Sequence, residues 1–99
     1  MELKDKVIVV TGAASGIGRA MALRYAKEDP KHIVCVDINE DAARETASAV
    51  GGTAYRVNVG VEEEIKALIE DVEANIGPID LFCSNAGISV AGGVEVGND

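Results

Sequence analysis

Three glycines near the N-terminus, at positions 12, 16 and 18, follow directly on the apolar run 7–10. A loop between a strand and a helix presents free backbone N–H groups and the positive end of a helix dipole, and both attract phosphate. Glycine lets the backbone turn sharply and approach a ligand closely, and Ser15 adds a hydroxyl donor. The pattern predicts a phosphate-binding loop; the alternative is a tight turn that holds no ligand.

The spacing of these glycines separates the loop from two other phosphate-binding patterns. It is G-x-x-x-G-x-G, whereas the common dinucleotide fingerprint is G-x-G-x-x-G and the P-loop requires Gly-Lys-Ser/Thr. The glycines alone therefore indicate a phosphate ligand without naming it.

Asp37 is the second residue that could contact a nucleotide. It follows Gly18 by about 20 residues, which is the offset at which an acid meets an adenosine ribose in dinucleotide-binding folds. A carboxylate there accepts hydrogen bonds from the ribose hydroxyls and repels a 2′-phosphate, and neither Ser15 nor Ile38 supplies a cation for that phosphate. The position therefore favours an adenosine ribose that carries no 2′-phosphate, with a strand-end turn as the alternative role of Asp37.

Alternating strand and helix patterns position these residues. Short apolar runs predict strands at 6–12, 32–37, 53–59 and 79–84, and helical patterns between them predict helices at 16–30, 39–52 and 61–77. This alternation predicts an α/β fold, a Rossmann-type doubly wound parallel sheet with strand order 3-2-1-4. The first two helices would cover one face and the third helix the other. The glycine loop and the residues after the fourth strand would then line the crevice where the strand order reverses.

The glycine-rich tail at 85–99 is expected to be a loop. The fourth strand would then be an exposed edge, the sheet would be incomplete, and the chain would be prone to self-association. Cys35 and Cys83 would be separated by the first strand, which is too far for a disulfide, so both are predicted to be free.

Four short segments together resemble the short-chain dehydrogenase/reductase family. These are TGAASGIG at 11–18, Asp37, the pair Asn58-Val59, and Asn85-Ala86-Gly87. The T-G-x-x-x-G-I-G pattern matches in full, and the resemblance extends along the whole chain. The sequence departs from the family pattern in having Asn58 where Asp is usual and Ser84 where a second Asn is usual.

The resemblance implies a role for each matching residue in binding NAD. The loop residues would hold the pyrophosphate, Asp37 and its neighbour Ile38 the adenosine ribose, the pair after the third strand the adenine, and the last three residues the nicotinamide side. The residues so implied are Gly12, Ser15, Gly16, Ile17, Gly18, Asp37, Ile38, Asn58, Val59, Asn85, Ala86 and Gly87.

The family's catalytic pattern, Tyr-x-x-x-Lys, is missing from the sequence. Tyr25 is followed four residues later by Asp29, and Tyr55 by Val59. The resemblance therefore implies that residues 1–99 are the dinucleotide-binding half-domain of an oxidoreductase that transfers hydride between NAD(H) and an alcohol or ketone. It also implies that the catalytic C-terminal half is absent and that this chain alone is inactive. Two alternatives are a stand-alone nucleotide-binding or interaction module and a doubly wound methyltransferase.

Composition and charge limit the partners. The net charge of −8 argues against binding to nucleic acid or to an anionic membrane surface, because both require clustered Lys and Arg. The two cysteines have no zinc-type spacing, so we expect no metal site and buried free thiols in a reducing cytoplasm.

Overall fold

The computed structural model describes residues 2–14 and 16–84 and, for the backbone alone, the strands at 87–90 and 94–96. The strands are β1 Val7–Thr11, β2 His32–Asp37, β3 Thr53–Arg56, β4 Leu81–Ser84, β5 Gly87–Val90 and β6 Val94–Val96. The helices are α1 Gly16–Tyr25, α2 Glu40–Val50 and α3 Glu62–Asn75, and a short 3₁₀ turn, Ala26–Glu28, follows α1.

The described strands form one sheet in the order β3-β2-β1-β4-β5-β6. The first four are parallel, so the predicted order 3-2-1-4 is confirmed. Asp80 aligns β4 with β1, because its carboxylate Oδ2 accepts from Val7 N at 2.9 Å and its own N–H donates to Val7 O at 2.9 Å.

The prediction that the glycine-rich tail is a loop was wrong. β5 runs antiparallel to β4, with Ser84 opposite Gly87, and β6 runs antiparallel to β5. The alternating valines and isoleucine of ISV and VEV have high strand propensity, and the unpaired edge of β4 offers them backbone partners. Because β5 covers it, β4 is not the exposed edge that the sequence predicted.

Two apolar layers enclose the sheet, one on each face. Ala22 of α1 and Ala47 of α2 pack with Ile8, Val10 and strand residues on one face. On the other face, Leu68 and Val72 of α3 pack against a second set of β-branched strand residues, Val7, Val9, Val34 and Val36. This confirms the predicted division of the helices, and it follows from the twofold alternation of side chains along each strand.

The two cysteines lie on opposite sides of β1. Val10 is opposite Cys35 of β2 and also opposite Cys83 of β4, and both cysteines are buried and free. The prediction of two free thiols is therefore confirmed.

β3 and α1 end earlier than the sequence predicts, whereas α2 keeps close to its predicted bounds. β3 ends at Arg56, so Asn58 and Val59 lie in the connection that precedes α3. α1 ends at Tyr25, and the chain leaves the 3₁₀ turn through Asp29, which has a left-handed backbone (φ 58°). α2 begins after its N-cap Asn39, whose side chain accepts from Ala42 N, and ends at Gly51 with φ 70°.

Candidate nucleotide-binding site

A cavity of about 500 Å³ opens at the carboxyl ends of the four parallel strands. Each of these strands, or the turn that follows it, contributes to its wall, and α3 closes one side. The lining residues are Thr11, Gly12, Asp37, Ile38, Val57, Asn58, Val59, Ile65, Phe82 and Ser84. A crevice of this size, at the point where the strand order reverses, is where doubly wound sheets bind ligands.

The glycine loop enters this region with a backbone that other residues rarely adopt. Gly12 has φ 67° and Gly16 has φ 57°, both in the left-handed region. A Cβ placed on Gly18 would lie 1.9 Å from the carbonyl oxygen of Gly12, so only glycine permits this contact. The first turn of α1 is therefore held directly against the end of β1, with its N-terminus beside the crevice.

Asp37 connects the end of β2 to this loop. Its Oδ2 accepts from the backbone N–H of Ala14 at 3.1 Å, and its Oδ1 accepts from Asn39 N at 3.0 Å. Both carboxylate oxygens are thus oriented, and each keeps a second lone pair for a ligand hydroxyl. The side chain is half-buried and lines the cavity, as the prediction of a ribose-binding residue requires.

Asn58 is ordered by two contacts that orient the connection after β3. Its Oδ1 accepts from Gly60 N at 2.9 Å, and its N–H donates to Glu64 Oε1 at 2.8 Å. The Glu64 side chain thus joins the first turn of α3 to the connection after β3, whereas Val61, the N-cap residue of α3, makes no side-chain hydrogen bond. Asn58 also lines the cavity.

Two exposed apolar side chains line the cavity. Ile38 and Val59 are 55% and 54% exposed, and they are two of the four large apolar residues that are exposed in the described part of the chain. A third, Ile17, is 74% exposed in the first turn of α1. Such residues usually lie in the core, so the pair in the cavity wall indicates a surface for an apolar group of a ligand.

Some of the predicted site lies outside the described residues. Ser15, Asn85 and Ala86 are not described, whereas the backbone of Gly87 begins β5. Conversely, sequence reasoning missed Thr11, Val57, Ile65 and Phe82 as cavity-lining residues. Val57 and Phe82 belong to apolar strand patterns and Ile65 to the apolar stripe of α3, and such patterns predict burial without marking the side chains that face a ligand.

Neither tyrosine has the environment of an acid/base catalyst. Tyr25 accepts from Cys83 Sγ at 3.7 Å, and burial, together with that contact, raises its pKa to about 12. Tyr55 donates to Asp71 Oδ2 at 2.5 Å, and burial, followed by the hydrogen bond and charge of Asp71, raises its pKa to about 12. Both phenols stay protonated near neutral pH and are held by structural partners.

Comparison with known proteins supports this geometry. The family model described as short chain dehydrogenase matches residues 6–98. The chain belongs to the short-chain dehydrogenase family. It is 38% identical over 96 residues to the uncharacterized oxidoreductase YxbG of Bacillus subtilis (strain 168), covering 92% of this chain and 35% of that protein.

Two solved structures extend the comparison to the fold. Hydroxysteroid dehydrogenase from Escherichia coli matches with a TM-score of 0.75 and 33% identity, over 87% of this chain and 38% of that one. A Brucella melitensis 16M structure described as ribose-5-phosphate isomerase matches with a TM-score of 0.80 and 33% identity, over 89% and 34%.

These matches show how much of a short-chain dehydrogenase the present chain covers. It spans about a third of the length of relatives such as YxbG and the two solved structures. Members of the family typically bind a nicotinamide cofactor, and the matched region contains the glycine loop and Asp37. Of the helices in the described ranges, none combines the length and the apolar character needed to cross a membrane.

Proposed function

We propose that this chain binds NAD at the crevice and serves as the cofactor-binding part of an oxidoreductase that interconverts an alcohol and a ketone. The observation that carries the proposal is the close contact of Gly18 with Gly12 beside the oriented carboxylate of Asp37. The first feature brings a helix N-terminus to the crevice for a pyrophosphate. The second supplies a paired acceptor at the adjacent strand end for a ribose.

The residues fit the cofactor in three successive parts. Gly12, Gly16, Gly18 and Ser15 would hold the pyrophosphate, with Ile17 over it. Asp37 would accept from the adenosine ribose hydroxyls. Ile38 and Val59 would then cover the two sides of the adenine, because both are more than half exposed beside the cavity.

Asn58 would contact the edge of the adenine in place of the family's usual Asp. Its Oδ1 already accepts from Gly60 N, but an amide oxygen has a second lone pair and the amide nitrogen has two donors. The substitution therefore preserves hydrogen bonding while it removes a negative charge. The nicotinamide side would involve Asn85, Ala86 and Gly87.

Charge supports NAD rather than NADP. A 2′-phosphate would approach the Asp37 carboxylate, and the neighbouring side chain, Ile38, offers no compensating cation. Like charges at this distance repel, and repulsion is stronger at a partly buried site than in bulk water. The free cysteines and the absence of clustered basic residues support a cytoplasmic protein that binds small molecules.

When bound, the nicotinamide ring supplies hydride transfer, and this chain's residues supply binding and orientation. Asp37 would hold the adenosine ribose, and the glycine loop would hold the pyrophosphate. No residue of 1–99 that the structure describes has the Tyr-x-x-x-Lys arrangement. We therefore propose that proton transfer to the substrate belongs to other residues of a longer protein.

Calorimetric titration of the purified chain with NAD, NADP and S-adenosylmethionine tests the proposal. We expect saturable binding of NAD, binding of NADP at least tenfold weaker, and no binding of S-adenosylmethionine. Preferential binding of S-adenosylmethionine would replace the proposal with a methyltransferase-type module. Equal binding of NAD and NADP would remove Asp37 from the specificity argument.

A further inference from the structure

We infer that Thr46, on α2 and outside the crevice, is a positioning residue that sets the orientation of the glycine loop for NAD. This inference rests on the proposed function. Thr46 is fully buried, which is unusual for a polar residue in an amphipathic helix. Its hydroxyl donates to the carbonyl oxygen of Ala13 at 2.8 Å, inside the loop.

The hydroxyl of Thr46 has one proton to donate, and two carbonyl oxygens lie within reach at different distances. Ala13 O is 2.8 Å away, whereas Ala42 O, one turn back along α2, is 3.4 Å away. Arg19 of α1 donates to the same hydroxyl oxygen from Nη1 at 3.3 Å. The acceptor side of the hydroxyl is therefore taken by Arg19, which leaves its proton directed to Ala13.

The other side of the same peptide unit is held by Asp37. The peptide between Ala13 and Ala14 is planar and trans, so the Ala13 carbonyl and the Ala14 N–H point in opposite directions. Thr46 binds the carbonyl, and Asp37 Oδ2 accepts from the N–H at 3.1 Å. The Ala13–Ala14 peptide is thus hydrogen-bonded on one side to the Thr46 hydroxyl and on the other to the Asp37 carboxylate, which we assign to ribose binding.

The backbone N–H of Ala13 makes a third hydrogen bond that holds this part of the loop. Ala13 N donates to Val36 O at 3.0 Å, so both backbone polar groups of Ala13 are bonded to elements other than the loop itself. If Thr46 lost its hydroxyl, the buried Ala13 carbonyl would lose its partner, and only the bond to Asp37 would still hold the Ala13–Ala14 peptide plane. A change in the tilt of that plane would move the Ala14 N–H relative to Asp37, which couples α2 to the specificity residue.

Thr46→Val and Thr46→Ser test this inference, with Ser48→Ala on the exposed face of α2 as the matched control. Valine keeps the shape and removes the hydroxyl, whereas serine keeps the hydroxyl. Thr46→Val should bind NAD about tenfold more weakly, since a lost buried hydrogen bond has about that effect, and its NAD-to-NADP affinity ratio should fall. Thr46→Ser and Ser48→Ala should bind NAD within about threefold of wild type.

Amide hydrogen exchange of Ala14 supplies a readout that does not depend on the cofactor. Exchange should accelerate at least tenfold in Thr46→Val, and stay near the wild-type rate in Thr46→Ser and Ser48→Ala. A lower melting temperature with unchanged NAD affinity, unchanged selectivity and unchanged Ala14 exchange would mean that Thr46 only stabilises α2, and would overturn the inference.

Two further outcomes keep the inference separate from the proposed function. If wild type does not bind NAD, the proposed function fails, and the Ala14 exchange rates alone decide whether Thr46 orients the loop. If Thr46→Val does not fold, the wild-type hydroxyl proton of Thr46 is measured by NMR. Slow exchange with water and scalar coupling to the Ala13 carbonyl support the inference, and fast exchange overturns it.

Discussion

The Cβ that a side chain would place on Gly18 falls 1.9 Å from the carbonyl oxygen of Gly12, six positions earlier in the loop. No real Cβ occupies such a position, so the first turn of α1 and the end of β1 approach this closely only because residue 18 is glycine. The helix N-terminus thereby lies beside the end of β1, where the proposed phosphate site is.

We predict that Gly18→Ala removes NAD binding and lowers the free energy of unfolding by at least about 1–3 kcal/mol, because α1 must move away from β1. Gly52→Ala is the matched control, since its Cβ would lie 2.1 Å from Ile33 O, far from the glycine loop. It should destabilise the fold to a similar degree and leave NAD affinity unchanged below the melting transition. Denaturant unfolding combined with calorimetry measures both quantities, and NAD binding by Gly18→Ala at wild-type strength would contradict the assignment.

Asp37→Ala should weaken NAD binding by about tenfold or more, because hydrogen bonds to a carboxylate contribute about 1.5–3 kcal/mol each. NADP affinity should fall less or rise, since the repulsion of the 2′-phosphate is also removed. Asp41→Ala, an exposed acid in the first turn of α2, is the charge-matched control and should leave the ratio of the two affinities unchanged. Titrations of each variant with NAD and with NADP measure the two affinities. A ratio of NAD to NADP affinity that is the same in Asp37→Ala as in wild type would exclude Asp37 from ribose recognition.

The sequence predicts those parts of the fold that depend on short, contiguous residue patterns. The β-branched runs at Val7–Thr11 and His32–Asp37 and the apolar stripe of α3 predicted the parallel sheet and its order, because burial on both faces leaves a continuous apolar pattern. The segment after Ser84 has many glycines, which favour a loop, and its strand pairing depends on the free edge of β4. That edge is a property of the assembled sheet, which no local pattern reveals.

The candidate site also contains residues with a local sequence signal and residues without one. Gly12, Gly18 and Asp37 could be identified because their spacing is characteristic and their chemistry is specific. Thr46 could not, because a Thr in an alanine-rich helix gives no sign that it is buried against a loop 33 positions earlier. Contacts of that sequence separation become visible only once the helix is packed on the sheet.

The two buried thiols predict a loss of stability at alkaline pH. Burial raises the pKa of Cys35 from 9.0 to about 11, and burial also raises the pKa of Cys83, although its bond to Tyr25 opposes that shift. Between pH 9 and 11 the unfolded chain therefore releases thiol protons that the folded chain retains. Stability from this source is complete below pH 9.0 and is lost as the pH rises through about 11.

Urea unfolding at intervals from pH 8 to pH 11 measures this loss, and Cys35→Ala provides the comparison. The variant should be less stable at pH 8, because it leaves a small cavity, but its stability should fall less steeply above pH 9. The tyrosines cannot explain a fall that begins near pH 9, since their ordinary value is 10.0. Parallel pH profiles for wild type and Cys35→Ala would show that the buried thiol has no part in the effect.

The last prediction concerns turnover: the 99-residue chain should bind NAD without oxidising any alcohol or reducing any ketone. Tyr25 and Tyr55 lie against Cys83 and Asp71, and neither is followed four residues later by the Lys of the family's catalytic pattern. Absorbance at the NADH maximum, followed with a panel of alcohols and ketones, measures this, and a full-length family member serves as the positive control. Turnover that survives in a Tyr25→Phe/Tyr55→Phe double variant would reveal a different proton donor in the chain, whereas turnover lost in that variant would show that one of these tyrosines is catalytic after all.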